Sequence, residues 1–155
     1  MIGEGEMAPD FELESDRGDT VRLEELRGRR VVLYFYPKDD TSGCTTEACG
    51  FRDAMPELED LDTVVLGVSP DGLASHVKFR EKYDLNFPLL ADADHEVASA
   101  YGVWGKKKMY GREYEGILRT TFVIGPDGTV EKVFEKVRPA GHADAVLEAV
   151  EAAGS

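Results

Sequence analysis

No stretch of this chain is apolar over the roughly 20 residues that a membrane-spanning helix needs, so no span is expected. Basic residues are scarce. Lys and Arg number 18 against 31 Asp and Glu, a net charge of -13 at pH 7. Binding a phosphate backbone or an anionic membrane requires a positive field, so neither nucleic acid nor membrane is an expected partner. The acidity itself reads as a solubility feature or an adaptation to high salt, and it says nothing about a reaction. Histidine is equally sparse: His76, His95 and His142 lie far apart and show no ligand spacing against the cysteines. All three read as surface positions of helices or turns, without chemistry. Cysteine occurs twice, at Cys44 and Cys49. Two soft ligands do not complete a four-ligand site, so a zinc or iron centre is a weak reading, and no metal or cofactor is expected. The first ten residues carry acids and no apolar core, which is not a signal-peptide pattern, and a cytoplasmic location is expected. In such a reducing compartment a static structural disulfide is not expected either.

What remains is the composition of a water-soluble α/β domain. Its 155 residues are enough to bury a core without staples. No linker, repeat or low-complexity stretch interrupts it, so residues 1–155 read as one domain. Residues 11–13 and 21–23 predict two short strands joined across the turn Asp16-Arg17-Gly18-Asp19. The run VVLYFY at 31–36 predicts a strand buried on both faces, and VVLGV at 64–68 a second one. Pro37 ends the first of these. Thr41 and Ser42 follow as candidate helix caps for a helix from about Gly43 past Asp53. Further helices are predicted over 73–83, 95–101 and 141–153, and a short strand over 89–91. A hairpin is predicted from 120–124 and 129–134 around Pro126-Asp127-Gly128. Residues 105–116 read as a loop whose Lys106-Lys107-Lys108 run is solvated, the alternative being a docking patch for an acidic reductant. Strands alternating with helices, then a hairpin and a last helix, predict a mixed central sheet flanked by helices.

Cys44 is the residue to which chemistry attaches. It falls in the first turn of a predicted helix, where backbone N–H groups lack intrahelical partners and the dipole is positive. Both features favour thiolate over thiol. The alternative is an inert buried cysteine packed as a small hydrophobe, though its neighbours Gly43, Thr45 and Thr46 are not core residues. Cys49 lies five residues on. In an ideal helix that spacing is about 7.5 Å along the axis and about 140° around it, which puts the Cα atoms roughly 8–9 Å apart. A disulfide does not span that distance, so any bond between the two requires the helix to unwind locally. The spacing also departs from the redox motif with two intervening residues. Spacing alone leaves open that the two cysteines are unrelated.

The segment YFYPKDDTSGCTTEACGFRD, residues 34–53, resembles the active-site segment of peroxiredoxins. It is most similar to the peroxiredoxin Q, or bacterioferritin comigratory protein, subfamily. The family pattern of proline, threonine and cysteine is met by Pro37, Thr41 and Cys44. The subfamily's resolving cysteine is met by Cys49, and the family's arginine before a threonine-rich strand by Arg119. The likeness runs from about Ala8 to the C-terminal helix. One departure is Ser42, where the subfamily usually has proline, which loosens the loop rather than removing a reacting group. The resemblance implies a thioredoxin-like fold and a thiol peroxidase acting on hydrogen peroxide and organic hydroperoxides. It implies that Cys44 is the peroxidatic nucleophile, that the Thr41 hydroxyl hydrogen-bonds the peroxide and that Arg119 supplies positive charge near the thiolate and the reacting oxygens. Gly43 would add a backbone donor, Pro37 would shield the sulfur, and Glu47 would orient the arginine. Cys49 would resolve the sulfenic acid, with thioredoxin or a similar dithiol as reductant and a monomer as the working form. Trp104 and Tyr110 resemble family positions near the site. The competing readings are a thiol-disulfide oxidoreductase and a non-enzymatic binding or chaperone-like module on the same fold.

Overall fold

The computed structural model describes residues 1–154, and its element order follows the sequence reading closely. A five-stranded mixed sheet forms the centre of the fold. Strands β3 (Arg30–Phe35), β4 (Thr63–Ser69) and β5 (Leu89–Ala91) are parallel. Strand β8 (Thr120–Ile124) pairs antiparallel with β3, and β9 (Val130–Phe134) pairs antiparallel with β8, which gives the order β5-β4-β3-β8-β9. The β-branched and aromatic residues of β3 divide by period two between two cores. Val32, Tyr34 and Tyr36 enter a cluster shared with Phe51, Leu58, Phe79 and Val146. Val31, Leu33 and Phe35 enter a second cluster with Leu66, Tyr101 and Phe122 on the opposite face. Helices α1 (Ser42–Asp60), α2 (Leu73–Tyr83) and α4 (His142–Gly154) cover the first face. Helix α3 (Glu96–Tyr101) and the N-terminal hairpin of β1 (Glu12–Glu14) and β2 (Thr20–Arg22) pack on the second.

Two expectations are corrected. Residues 105–116 are not a loop but most of a hairpin, β6 (Trp104–Met109) and β7 (Arg112–Ile117). Its two-residue turn has Tyr110 and Gly111 at φ 53 and 77, the doubly positive turn that matches strand twist. Opposite charges meet in register, Lys106 with Glu115 and Lys108 with Glu113. The histidines are not surface residues: His76 and His142 are buried, and His95 is half-buried, stacked on Trp104 at 3.8 Å.

Helix α1 carries a proline in its interior, Pro56. A proline has no N–H for the carbonyl four residues back, here Arg52. The Asn86 side-chain amide donates to the Arg52 carbonyl instead, at 3.2 Å. Among the described residues no helix is long and apolar enough to cross a membrane.

Candidate active site

The register of β3 against β8 assembles the site. Phe35 pairs with Thr120, so the chain leaving β3 toward Pro37 and the residue entering β8, Arg119, meet at one edge of the sheet. The chain then turns through residues 37–41 and enters α1, with Thr41 at the N-cap and Cys44 as the third helical residue. Residues 75 positions apart in sequence come into direct contact. Arg119 Nη2 donates to Cys44 Sγ at 3.1 Å, and Arg119 Nη1 donates to Glu47 Oε1 at 2.6 Å. Glu47 sits one helical turn beyond Cys44, on the same face. One guanidinium therefore bridges the sulfur and a carboxylate.

Space around the sulfur is tight. Cys44 is 1% exposed and Glu47 is wholly buried. Gly43 is needed for close approach: a Cβ there would lie 3.3 Å from Arg119 Nη2 and 3.3 Å from Pro139 Cγ. Pro37 is half-buried and Thr41 is exposed. The Thr41 hydroxyl donates to the Lys38 carbonyl at 2.9 Å, so its oxygen meets an incoming group as an acceptor. The first-turn amides of α1, those of Gly43 and Cys44 among them, have no carbonyl one turn back to bond.

The charges answer to this burial. Burial raises Glu47 to about 7, against the pull of Arg119. Burial disfavours charge on Arg119, yet Glu47 and Cys44 more than offset it, so the guanidinium holds its proton more tightly than usual. Glu47 Oε2 has no hydrogen-bond partner and lies 3.9 Å from His142 Nε2. His142 bonds to the Thr121 hydroxyl at 2.7 Å, and burial together with Arg119 lowers it to about 4. The neutral imidazole is the form that stands beside Arg119.

Cys44 and Cys49 are both free thiols on one continuous helix, Cys44 buried and Cys49 half-buried. Among the described residues no group of three or more His, Cys, Asp or Glu side chains could hold a metal ion. Of the residues singled out in the sequence, Cys44, Arg119, Glu47 and Gly43 stand in one contact group, flanked by Pro37 and Thr41. Tyr110 does not: it is 97% exposed at the hairpin tip, and Trp104, whose Nε1 donates to Glu115 Oε2, packs on the second core cluster rather than the one that holds Cys44. The sequence reading missed His142 and Thr121. A lone histidine gives no signal of its own, and only the packing of α4 on α1 brings it to Glu47.

The AhpC/TSA family matches residues 4–133. Peroxiredoxin Bcp of Bacillus subtilis is 49% identical over 144 residues, covering 93% of this chain and 92% of that protein. Peroxiredoxin Bcp of Escherichia coli is 46% identical, covering 92% of each. Among solved structures, a Xanthomonas campestris bacterioferritin comigratory protein, described for its alkyl peroxide reduction activity, superposes with a TM-score of 0.90. It is 41% identical, and the match covers 94% of this chain and 92% of that one. A cysteine-to-serine variant of Xylella fastidiosa PrxQ superposes with a TM-score of 0.95 at 33% identity, covering 100% of this chain and 99% of that one.

Proposed function

The chain belongs to the AhpC/TSA family as a peroxiredoxin, a thiol-dependent peroxidase, and from that premise we propose how its own residues run the reaction. Cys44, as thiolate, attacks the distal oxygen of a hydroperoxide. The O–O bond breaks, the alkoxide or hydroxide departs and takes up a proton, and Cys44 becomes a sulfenic acid. The observation that carries this reading is the Arg119 guanidinium donating to Cys44 Sγ at 3.1 Å. In this reading the same cation stabilises charge developing on the peroxide oxygens. Thr41 accepts from the O–H of the hydroperoxide, the Gly43 and Cys44 amides add donors, and Pro37 limits water. Glu47 fixes the arginine through the 2.6 Å bond.

The second half-reaction joins Cys44 to Cys49. The thiol of Cys49 displaces water from the sulfenic acid, and a disulfide forms. Both residues lie on the intact helix α1, so its first turns must unwind before the sulfurs meet. An external dithiol, thioredoxin or one like it, then reduces the disulfide and is itself oxidised. We place the protein in the cytoplasm, as a monomer.

The test is a single turnover of the reduced protein with one equivalent of hydrogen peroxide, followed by intact mass and free-thiol count against a free cysteine control. The expected product has lost two hydrogens and both thiols, with the Cys44 and Cys49 peptides crosslinked. Cys49→Ser is expected to consume the first equivalent unimpaired and to stall when thioredoxin is the sole reductant. A reaction no faster than the control, with both thiols surviving, would overturn the function.

A further inference from the structure

One group of buried side chains that the peroxide reaction leaves unexplained gathers around Asp39. This residue stands two positions after Pro37 and two before Thr41, in the loop that leads into α1, and its side chain is only 3% exposed. Three donors converge on its carboxylate. Tyr36 Oη donates to Oδ1 at 2.6 Å, and Ser75 Oγ donates to Oδ2 at 2.8 Å. His76 Nδ1 meets Oδ2 at 2.7 Å. The other ring nitrogen of His76 faces the Leu90 carbonyl at 3.0 Å. With an acceptor at each nitrogen, only the imidazolium satisfies both. Burial opposes that charge, but the bond to Asp39, its negative charge, the Leu90 carbonyl and Asp71 together outweigh it and raise the imidazole above its ordinary value. The Asp39 backbone N–H donates to Asp71 Oδ2 at 2.8 Å, the same oxygen that accepts from Ser69 Oγ.

The next residue repeats the pattern at the surface. Asp40 is left-handed, with φ 56, and its carboxylate accepts from Lys82 Nζ at 2.8 Å and Tyr83 Oη at 2.7 Å. Ser75, His76, Lys82 and Tyr83 all belong to α2. Two consecutive carboxylates of the loop are thus fastened along one helix. A buried ion pair is a poor source of stability compared with apolar packing, because desolvation offsets the attraction. What it does supply is fixed geometry, and here the geometry is that of the segment carrying Pro37 and Thr41.

We propose that Asp39, held by His76 and Ser75, is a positioning residue for the peroxide step: it clamps the 37–41 loop to α2, keeping Thr41 in register with Cys44. This rests on the roles of Cys44 and Thr41 given above. The clamp lies upstream of both cysteines, so it is not broken when the first turns of α1 unwind. It acts on the attack at the peroxide and not on disulfide formation.

The two steps separate in a stopped-flow single turnover with hydrogen peroxide. The first is the second-order loss of the Cys44 thiol, and the second is first-order formation of the disulfide. Asp39→Asn is expected to slow the first step about tenfold, and Ser75→Ala about threefold, as befits losing a charge-assisted bond and a single hydroxyl bond. The second step is expected to stay unchanged or to quicken in both. A purely structural role would lower the melting temperature and leave both constants alone. Constants within about twofold of wild type in folded variants, or equal slowing of both steps, would overturn the proposal. If Asp39→Asn does not fold, Ser75→Ala decides by the same criterion. A wild-type protein without a fast peroxide step would instead sink the reading of Cys44.

Discussion

How much rate the thiolate itself supplies is a question of magnitude. An ordinary thiol of pKa about 8.5 is about 3% ionised at neutral pH, so complete ionisation gains roughly thirtyfold. Nucleophilicity falls with basicity at a slope of about 0.4–0.5, measured for disulfide exchange, and takes back roughly tenfold. The net gain is a few-fold, so most of the acceleration rests on donors aimed at the breaking O–O bond. Arg119→Ala is expected to lower the peroxide rate constant by about 100-fold or more, the usual cost of losing such a donor. Thr41→Val, which loses the acceptor for the hydroperoxide O–H, is expected to lower it well beyond any change in thiolate fraction. Thiolate fraction, read by absorbance at 240 nm, is expected to change far less, and a rate loss that merely tracked it would refute this account. The buried acid and base beside them titrate in opposite senses. Glu47, raised to about 7 from 4.5, keeps its proton in the fold where the unfolded chain has lost it. Stability tied to Glu47 is therefore full below about pH 4.5 and declines as pH rises through about 7. His142, lowered to about 4 from 6.5, stays neutral in the fold where the unfolded chain is charged. Stability tied to His142 is full above about pH 6.5 and is lost as pH falls through about 4. In wild type the two slopes oppose each other. Glu47→Gln removes the falling one, so urea unfolding between pH 5 and 6.5 is expected to show stability rising more steeply with pH than in wild type. An unchanged or flatter profile would mean that Glu47 is ionised in the native protein.

At the scale of elements the decisive one is α1, which in the proposed cycle holds Cys44 for attack and then releases it. Pro56 interrupts its backbone hydrogen-bond ladder. The Arg52 carbonyl lacks its helical donor, and the Asn86 amide, at 3.2 Å, stands in from outside the helix. The turns bearing Cys44 and Cys49 are thereby joined to the rest of α1 across a missing backbone bond. Pro56 is exposed, so Pro56→Ala leaves no cavity. The replacement is expected to raise stability by about 1 kcal/mol or more, since proline is far the poorer residue in a helix interior. It is also expected to slow disulfide formation after a single peroxide turnover while leaving the peroxide step unchanged. Disulfide formation at the wild-type rate in a stabilised variant would show that unwinding stops short of Arg52. Much of this element was legible in sequence: the VVLYFY strand, its end at Pro37 and a cap at Thr41 fix where the helix begins. The β6–β7 hairpin was not, because its strands show no alternation of apolar and polar residues. Its signal is cross-strand charge, Lys106 to Glu115 and Lys108 to Glu113, which appears only once the register is known. The Arg119–Glu47–Cys44 group was legible through the family motif, but not the three donors on Asp39, which come from β3's end and from α2.

Over the whole molecule, charge is divided unequally between inside and outside. The sequence carries -13, while the charge of the site is enclosed: Arg119 faces the Cys44 sulfur and Glu47, and is itself mostly shielded. Surface repulsion among like charges acts through water and is screened within about 10 Å at 0.1 M salt, whereas buried pairs are screened far less. Salt should therefore act on the fold and leave the chemistry alone. Raising sodium chloride from 0.01 to 0.5 M is expected to lift the melting temperature by several degrees, because a compact anion relieved of self-repulsion gains stability. The second-order constant with hydrogen peroxide, a neutral substrate, is expected to stay within about twofold over the same range. Thermal unfolding and stopped-flow kinetics on the same samples make the comparison. A melting temperature that falls with salt would mean that exposed ion pairs such as Arg22 with Glu12 and Lys82 with Asp40 outweigh the net repulsion. A peroxide constant that fell in step with salt would mean that the Arg119 field at the sulfur is open to solvent, against the burial of Cys44 and Glu47 on which the site depends.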